Sequence, residues 1–189
     1  MVDVASRRVL AHKVAITLEA CHASEVIEQA FARFGMPEIV NTDQGSQFTA
    51  EDFTKAVLSR GCRLSMDGKG AWRDNVFVER LWRTIKYERV YLRAYDGVSV
   101  ARADLEQFIH WYNHEHRHSA IRYLAPAQRH AGLDAPILQA RQRLYQQARQ
   151  RHPARWSGKL RNWQPIGSVW LNPEPDQHEQ DTDPVLEAA

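Results

Sequence analysis

The chain has 189 residues, of which 43% are hydrophobic, so it is long enough for one core domain with extensions. Its net charge of +2 conceals a basic body. Residues 1–171 carry 25 Lys and Arg against 17 acids, whereas the segment after Leu171 contains acids but no Lys or Arg. The presence of only two cysteines argues against a disulfide scaffold, and no apolar run approaches the ~18 residues of a membrane span. The basic body predicts a polyanionic partner, with an ordinary soluble surface as the alternative.

The first third of the chain predicts alternating strands and helices. Residues 8–16 alternate in polarity and predict a strand, and the turn at residues 6–7 makes residues 1–4 the stump of a strand paired with it. A helix is predicted from about residue 22 to Gly35, with Val26, Ala30 and Phe31 facing inward. The apolar segment 38–42 predicts a short strand buried on both faces of a parallel sheet.

The middle of the chain continues this alternation. Thr49 is a candidate N-cap for a helix ending near Gly61, with Phe53, Val57 and Leu58 inward. A strand is expected at residues 62–66 and a glycine-containing loop at 67–70. Helices are then predicted from about residue 74 to 92 and from 98 to 113, which gives an α/β layer architecture.

The last third of the chain has a different composition. Pro126 marks a break, and a Gln/Arg-rich helix is predicted at about 135–151. Residues 155–171 contain three tryptophans and predict a small β appendage, whereas the acidic segment after residue 172 predicts disorder. We therefore divide the chain into a core at 1–132, a basic extension at 133–171 and an acidic tail at 172–189.

Two carboxylates have the pattern of a metal-dependent site for DNA chemistry. Asp43 follows the apolar strand directly, where open α/β sheets bind ligands, and Glu79 lies in a basic amphipathic helix. Thirty-five residues separate them, and Lys86 follows Glu79 by two helical turns. Each residue alone has an ordinary structural interpretation, Asp43 as a turn residue and the other two as solvated helix charges. Their conjunction favours metal-assisted phosphoryl chemistry.

These segments resemble a known family. The segments Asn-Thr-Asp-Gln-Gly-Ser-Gln-Phe at 41–48, Ser-Met-Asp-Gly-Lys-Gly at 65–70 and Asp-Asn-Val-Phe-Val-Glu-Arg-Leu-Trp at 74–82 are similar to those of insertion-sequence-three transposases, which share the integrase core of retroviral integrases. The 35-residue spacing matches the family's carboxylate pattern, and Tyr112-Asn113 with His118 resembles the segment that closes the core. The likeness covers about residues 2–132, and the tail at 156–173 also resembles the C-terminal end of such proteins.

The resemblance implies a fold, a reaction and site residues. It implies a ribonuclease-H-like α/β core, with a small C-terminal helical/β extension, that cleaves and transfers DNA strands with Mg²⁺ or Mn²⁺. Asp43 and Glu79 would be the catalytic metal ligands. The expected DNA contacts are Lys86, Gln44, Lys69, Arg73 and Arg83. We also expect homo-oligomers of the intact enzyme, no membrane association and a cytoplasmic location, close to the nucleoid when DNA is bound.

One element of the family pattern has no counterpart in the sequence. The family's first catalytic Asp lies on a central strand that would precede residues 2–4, and Asp3 does not occupy that position. We therefore expect an N-terminally truncated core that binds at most one metal weakly and transfers no strands alone. The alternatives are a non-catalytic DNA-binding remnant of a transposase and, less consistent with the linked motifs, a stand-alone ribonuclease-H-like nuclease.

Two further groups of residues each have two interpretations. The pair His110/His114 could bind a metal at a helix end, but we interpret it and the neighbouring His116 and His118 as solvated histidines. Residues 141–161 hold seven Lys and Arg and no acid, with aromatic residues between them. This basic segment could follow a DNA backbone or could be a solvated helix.

Overall fold

The computed structural model describes residues 1–66 and 75–171. The elements, in chain order, are α1 (Ala20–Phe34), β1 (Ile39–Thr42), α2 (Ser46–Thr49), α3 (Glu51–Leu58), β2 (Arg63–Met66), α4 (Val76–Glu88), α5 (Val98–His114), α6 (Pro126–His130) and α7 (Asp134–Arg151). Short 3₁₀ turns occupy Val90–Leu92, Ser119–Ile121 and Pro153–Arg155. The predicted loop at 67–70 and the acidic tail lie outside the described residues.

The two strands β1 and β2 pair in parallel, as the sequence predicted for this segment. Val40 lies opposite Leu64, and Val40 and Thr42 are buried on the same face of β1. Ile39 points the other way and remains 46% exposed, so the predicted burial on both faces is wrong. The α1–α3 core covers the face of β1 that carries Val40, whereas Asn41 on the other face is half-buried.

Helices α1 and α3 build the core beside this sheet. Ile27 and Phe31 of α1 pack with Phe53 and Val57 of α3, and Cys62 closes the cluster. The inward positions of Phe31, Phe53 and Val57 are confirmed. This cluster fixes β1, and therefore the loop that follows it, against two helices.

The start and end of α3 differ from the sequence expectation. Thr49 is not an N-cap, because it ends α2 and its hydroxyl donates back to the carbonyl of Gly45 at 3.4 Å. Ala50, with an extended backbone, takes the cap position of α3. Leu58 is 55% exposed rather than inward, because α3 ends there and the chain turns through Gly61, whose φ is +79°.

The N-terminal segment forms a tight hairpin instead of the long strand predicted at 8–16. Val2 and Val9 pair as an isolated antiparallel bridge, so the predicted pairing of the two segments is present at one position. The backbone N–H and C=O of Val9 point away from Val2. The N–H donates to Oδ1 of Asn113 and the C=O accepts from Nδ2 of the same side chain, both at 2.9 Å. A side chain therefore occupies the edge where a neighbouring strand would have paired.

Helices α4 and α5 pack around a second core. Leu81 and Ile85 of α4 meet Phe108 and Tyr112 of α5, and Val9 of the hairpin joins them. The predicted helix at 98–113 is confirmed, whereas α4 ends at Glu88 and continues only as a 3₁₀ turn. Because two buried residues four apart anchor α4, its opposite face is presented to solvent.

The C-terminal part is held by side chains rather than by a sheet. The described residues 155–171 contain no strand, so the predicted β appendage is wrong. Trp163 is buried against Ile121, Leu124 and Leu138, and Arg129 donates to the carbonyl of Ile166 at 2.9 Å. Arginine donors thus satisfy carbonyls that a partner strand would otherwise have bonded.

The predicted break at Pro126 is instead the start of a short helix. Pro126 occupies the first turn of α6, where its missing N–H has no intrahelical partner to lose. The helix predicted after it is confirmed as α7, which begins at Asp134. None of the helices within 1–66 and 75–171 combines the length and apolar character that a membrane crossing requires.

Candidate active site

Asp43 lies where β1 ends and is exposed to solvent. Its Oδ1 accepts a hydrogen bond from the backbone N–H of Gly45 at 2.8 Å, which closes a tight turn after the strand. A Cβ at Gly45 would lie 2.9 Å from that same oxygen and 2.9 Å from Nε2 of Gln47. A larger residue at this position would therefore displace the Asp43 carboxylate or the Gln47 amide.

Glu79 lies in the first turn of α4, and its side chain is exposed. One turn before it, Asn75 occupies the N-cap position and its Oδ1 lies 3.5 Å from Nδ2 of Asn41 on β1. Asn41 precedes Asp43 by two residues, and Glu79 follows Asn75 by four. The contact between the two asparagines thus joins the strand end that carries one carboxylate to the helix start that carries the other.

The solvent face of α4 carries the predicted DNA contacts. Arg83 and Lys86 follow Glu79 by one and two turns, and both are exposed. Leu81 and Ile85 lie on the buried face, so the basic side chains and the carboxylate share the outer surface. A DNA duplex bound at Glu79 could contact the side chains of Arg83 and Lys86 through its phosphates.

The remaining predicted contacts are only partly described. Gln44 is exposed in the loop directly after Asp43. Lys69 and Arg73 were also predicted to contact DNA, but they and the loop at 68–70 lie outside the described residues. The structure therefore places five of the predicted site residues on the two neighbouring elements: Asp43, Gln44, Glu79, Arg83 and Lys86.

Asp3 serves the N-terminal hairpin. Its carboxylate accepts hydrogen bonds from the backbone N–H of Ser6 at 3.0 Å and from the Ser6 hydroxyl, and it lies 3.3 Å from Nδ1 of His130. Burial raises the pKa of Asp3, but the hydrogen bonds from Ser6 and His130 outweigh it and the pKa falls below its ordinary value. Within 1–66 and 75–171, neither Asp43 nor Glu79 belongs to a group of three potential metal ligands.

One anchor of the site was not visible in the sequence. The guanidinium of Arg7 lies 3.5 Å from the ring centre of Phe77, in the first turn of α4, and Arg7 is buried with φ at +67°. This cation–π contact fixes the start of α4 on the N-terminal hairpin. A positive φ at a non-glycine residue has no reliable sequence signature, so the contact could not be predicted.

The four histidines near the end of α5 form two different groups. His110 and His114 are exposed and their rings stack at 4.7 Å, which agrees with solvated residues. His116 stacks on Tyr112 at 5.3 Å, and His118 is half-buried beside both, so the prediction that these two are solvated is wrong. Burial first, and then neighbouring positive charge, lowers the pKa of His118 to about 4. His118 is therefore neutral at physiological pH.

The exposed carboxylates fit a hard divalent cation better than a softer metal such as zinc or copper. Both Asp43 and Glu79 offer oxygen donors at the solvent surface, which Mg²⁺ and Mn²⁺ prefer. Neither cysteine lies beside them, because Cys62 is buried with the α1–α3 core and Cys21 is in α1. The donor chemistry therefore agrees with the metal that the resemblance implies.

Comparison with known proteins identifies the core. One integrase core domain model matches residues 1–71 and a second matches residues 60–126. Together they cover about two thirds of the chain, from the N-terminal hairpin to the start of α6, and they include Asp43 and Glu79. The matches therefore contain both carboxylates and the elements that position them.

Several curated relatives are transposases of insertion sequences. The chain is 32% identical to the transposase for insertion sequence element IS904 of Lactococcus lactis over 47% of this chain and 35% of that protein. It is 23% identical to the putative transposase InsK for IS150 of Escherichia coli, over 67% of this chain and 45% of the relative. A putative transposase for IS986/IS6110 of Mycobacterium tuberculosis is 26% identical over 75% of this chain and 52% of its own length. The chain thus spans between a third and about half of these three relatives.

The chain belongs to the integrase-core family and is related to the transposases of insertion sequences. An integrase core agrees with the mixed α/β architecture and the parallel strands described above.

Proposed function

We propose that this integrase-core chain acts in DNA transposition, as part of an enzyme that cleaves DNA strands and joins them with the help of divalent metal ions. The proposal rests on one observation above all. Asp43 and Glu79 are exposed carboxylates, one at a strand end and one at a helix start, and the two elements meet where Asn41 contacts Asn75 at 3.5 Å. Family membership supplies the reaction class, and this arrangement supplies its ligands.

The proposed roles follow from where each side chain lies. Asp43 and Glu79 would hold Mg²⁺ or Mn²⁺ through carboxylate oxygens. When bound, such ions stabilise the charge on the attacking and leaving oxygens of a phosphoryl transfer. Arg83 and Lys86 would contact phosphates on either side of the scissile one, and Gln44 would line the edge of the site.

The finer assignments are part of the same proposal. We assign the chain to the insertion-sequence-three group on the segments at 41–48 and 74–82, and we propose a ribonuclease-H-like topology for the core. The division into a core at 1–132, a basic extension at 133–171 and an acidic tail also remains a proposal. Within it, Leu138 and Trp163 of the extension share a hydrophobic cluster with Ile121 and Leu124 of the core.

The metal site can be tested on the purified 189-residue chain by Mn²⁺ titration followed by electron paramagnetic resonance. Asp43→Asn and Glu79→Gln should each weaken Mn²⁺ binding at least about tenfold, since even outer-shell partners are worth ~10–100-fold in metal affinity. Glu88→Gln is the matched control, because Glu88 is an exposed acid at the other end of the same helix. Equal Mn²⁺ affinity in wild type and both site variants would refute the assignment.

The DNA reaction needs a separate measurement. Supercoiled plasmid incubated with the chain and Mn²⁺ reports nicking, and electrophoretic mobility reports binding on the same samples. Nicking that disappears in Asp43→Asn and Glu79→Gln would support catalysis and contradict the expectation that the chain is inactive alone. DNA binding with Mn²⁺ binding but without nicking would support these residues as part of a larger catalytic site. DNA binding without any Mn²⁺ site would favour the non-catalytic DNA-binding protein instead.

A further inference from the structure

Three potential metal ligands of different chemistry meet at the N-terminal end of α1. The thiol of Cys21 lies 3.7 Å from Oε2 of Glu19 and 3.7 Å from Nδ1 of His22. One ligand atom from each of the three side chains lies within 4.8 Å of the other two. Among residues 1–66 and 75–171, this is the group that brings together at least three such ligands.

The two distances from the Cys21 thiol are close to the edge length of a tetrahedral site. With zinc–sulfur bonds of ~2.3 Å and zinc–nitrogen bonds of ~2.0 Å, a tetrahedral angle puts sulfur and nitrogen about 3.5 Å apart. The observed Cys21–His22 separation exceeds that value by only a few tenths of an ångström. Small side-chain rotations would therefore allow both atoms to bind one ion without moving the helix.

The surroundings of two of the ligands also point to a metal site. The Nε2 atom of His22 lies 3.0 Å from the hydroxyl of Thr17. In the tautomer in which Nε2–H donates to this hydroxyl, the Nδ1 lone pair faces the thiol. Glu19 occupies the N-cap position of α1 but makes no side-chain capping hydrogen bond. Its carboxylate is therefore not engaged in closing the helix and points toward the thiol instead.

We propose that Glu19, Cys21 and His22 bind a borderline divalent cation such as Zn²⁺, with Thr17 orienting the imidazole. Three protein ligands leave the fourth position for water or for an outside ligand, as in open zinc sites. A thiolate and an imidazole prefer zinc, cobalt or nickel to magnesium. The site is therefore chemically distinct from the oxygen-only pair at Asp43 and Glu79, and it does not depend on the proposed DNA reaction.

The proposed site opens onto a groove between α1 and α3. Cys21, Glu25 and Glu28 line it from α1, and Asp52 and Lys55 line it from α3. Two of these acids are already paired, Glu25 with Lys13 and Glu28 with Arg60. The bound ion would tie the loop before α1 to the first turn of that helix, beside the core that supports β1.

Cobalt substitution gives a readout that only a thiolate site can produce. Co²⁺ added to the reduced, purified chain should give a near-ultraviolet thiolate charge-transfer band together with visible bands of tetrahedral intensity at one equivalent, and Zn²⁺ should displace both. Cys21→Ser should abolish the charge-transfer band, and His22→Ala should weaken Co²⁺ binding at least tenfold. Thr17→Val should weaken it by about 10–100-fold, because it removes the outer-shell partner of the imidazole.

The matched controls separate this site from the rest of the chain. Cys62→Ala removes the only other thiol, which is buried in the core, and should leave the band unchanged. His110→Ala disrupts the stacked histidine pair on α5 and should also leave it unchanged. Absence of a thiolate band at one equivalent of Co²⁺, or a band that survives Cys21→Ser and disappears with Cys62→Ala, would overturn the proposal. Circular dichroism of each variant verifies that the helices remain folded.

Discussion

Replacing Asn113 by alanine should destabilise the protein more than any surface substitution on α5. The Asn113 amide donates to the carbonyl of Val9 and accepts from its N–H, both at 2.9 Å, and all three groups are buried. Alanine would remove both bonds and leave the two backbone groups of Val9 without a partner. The change therefore acts on the hairpin, although it is made in a helix more than a hundred residues away.

The magnitude follows from the two bonds and their burial. An intramolecular hydrogen bond contributes about 0.5–1.5 kcal/mol, and leaving a buried polar group unsatisfied costs about 1–3 kcal/mol. Relaxation and entry of water at Val9 reduce the sum, so we expect a loss of ~3 kcal/mol in the free energy of unfolding. For a chain of this length, that corresponds to a fall in Tm of ~6–12 °C.

Urea unfolding of wild type and Asn113→Ala measures this loss, and Gln107→Ala is the matched control. Gln107 is an exposed amide on the same helix, so its replacement removes comparable atoms without breaking a buried bond. Amide hydrogen exchange supplies a local readout, since the N–H of Val9 should lose protection only in Asn113→Ala. Equal stability of the two variants, with Val9 still protected, would refute the argument that a side chain replaces a strand here.

Three further predictions concern the site and its surroundings. The pKa of His118 is about 4 in the folded chain and about 6.5 in the unfolded chain, so the unfolded chain binds the proton first and stability should fall as the pH drops from about 6.5 to about 4. The urea midpoint should fall less over this range in His118→Asn, and an equal fall would argue against the buried neutral ring. Lys86→Ala should weaken DNA binding and reduce the salt slope by about 1 in fluorescence anisotropy. Lys55→Ala, which changes an exposed lysine on another helix, α3, should leave both unchanged. Gly45→Ala should displace the Asp43 carboxylate and weaken Mn²⁺ binding, whereas Gly97→Ala should not, because a Cβ there meets no atom within 4 Å. Equal Mn²⁺ affinity in the two variants would contradict the turn geometry.

The parts of the fold that could be predicted from sequence are those governed by local periodicity. The helices α1, α5 and α7 and the strand β1 follow patterns of apolar residues that predict these elements without knowledge of their packing partners. The predicted strand at 8–16 failed for a non-local reason, since the bonds of Val9 go to Asn113. A strand requires a pairing partner, and the sequence of the strand itself does not determine which segment that partner is.

The same distinction applies to the candidate site. Asp43 and Glu79 could be identified because their chemistry and spacing are properties of the sequence, and their exposed positions agree with the proposed role. The contacts that hold them, Arg7 on Phe77 and Asn41 on Asn75, join residues more than thirty positions apart. No periodicity predicts such pairs, because each depends on how complete elements pack.

These contacts suggest how the fold keeps the helix of Glu79 in place. α4 is buried through Leu81 and Ile85 in the middle, and Arg7 stacks on Phe77 at its start. Metal ligands require placement within about 0.5 Å, and a helix anchored at only one point could pivot by more than that. If Arg7 supplies the second anchor, Arg7→Ala should weaken Mn²⁺ binding although it touches no ligand, whereas Arg102→Ala, which removes a hydrogen bond to Val14 elsewhere, should not. Mn²⁺ affinity that is equal in the two variants would show that burial of the middle of α4 is sufficient.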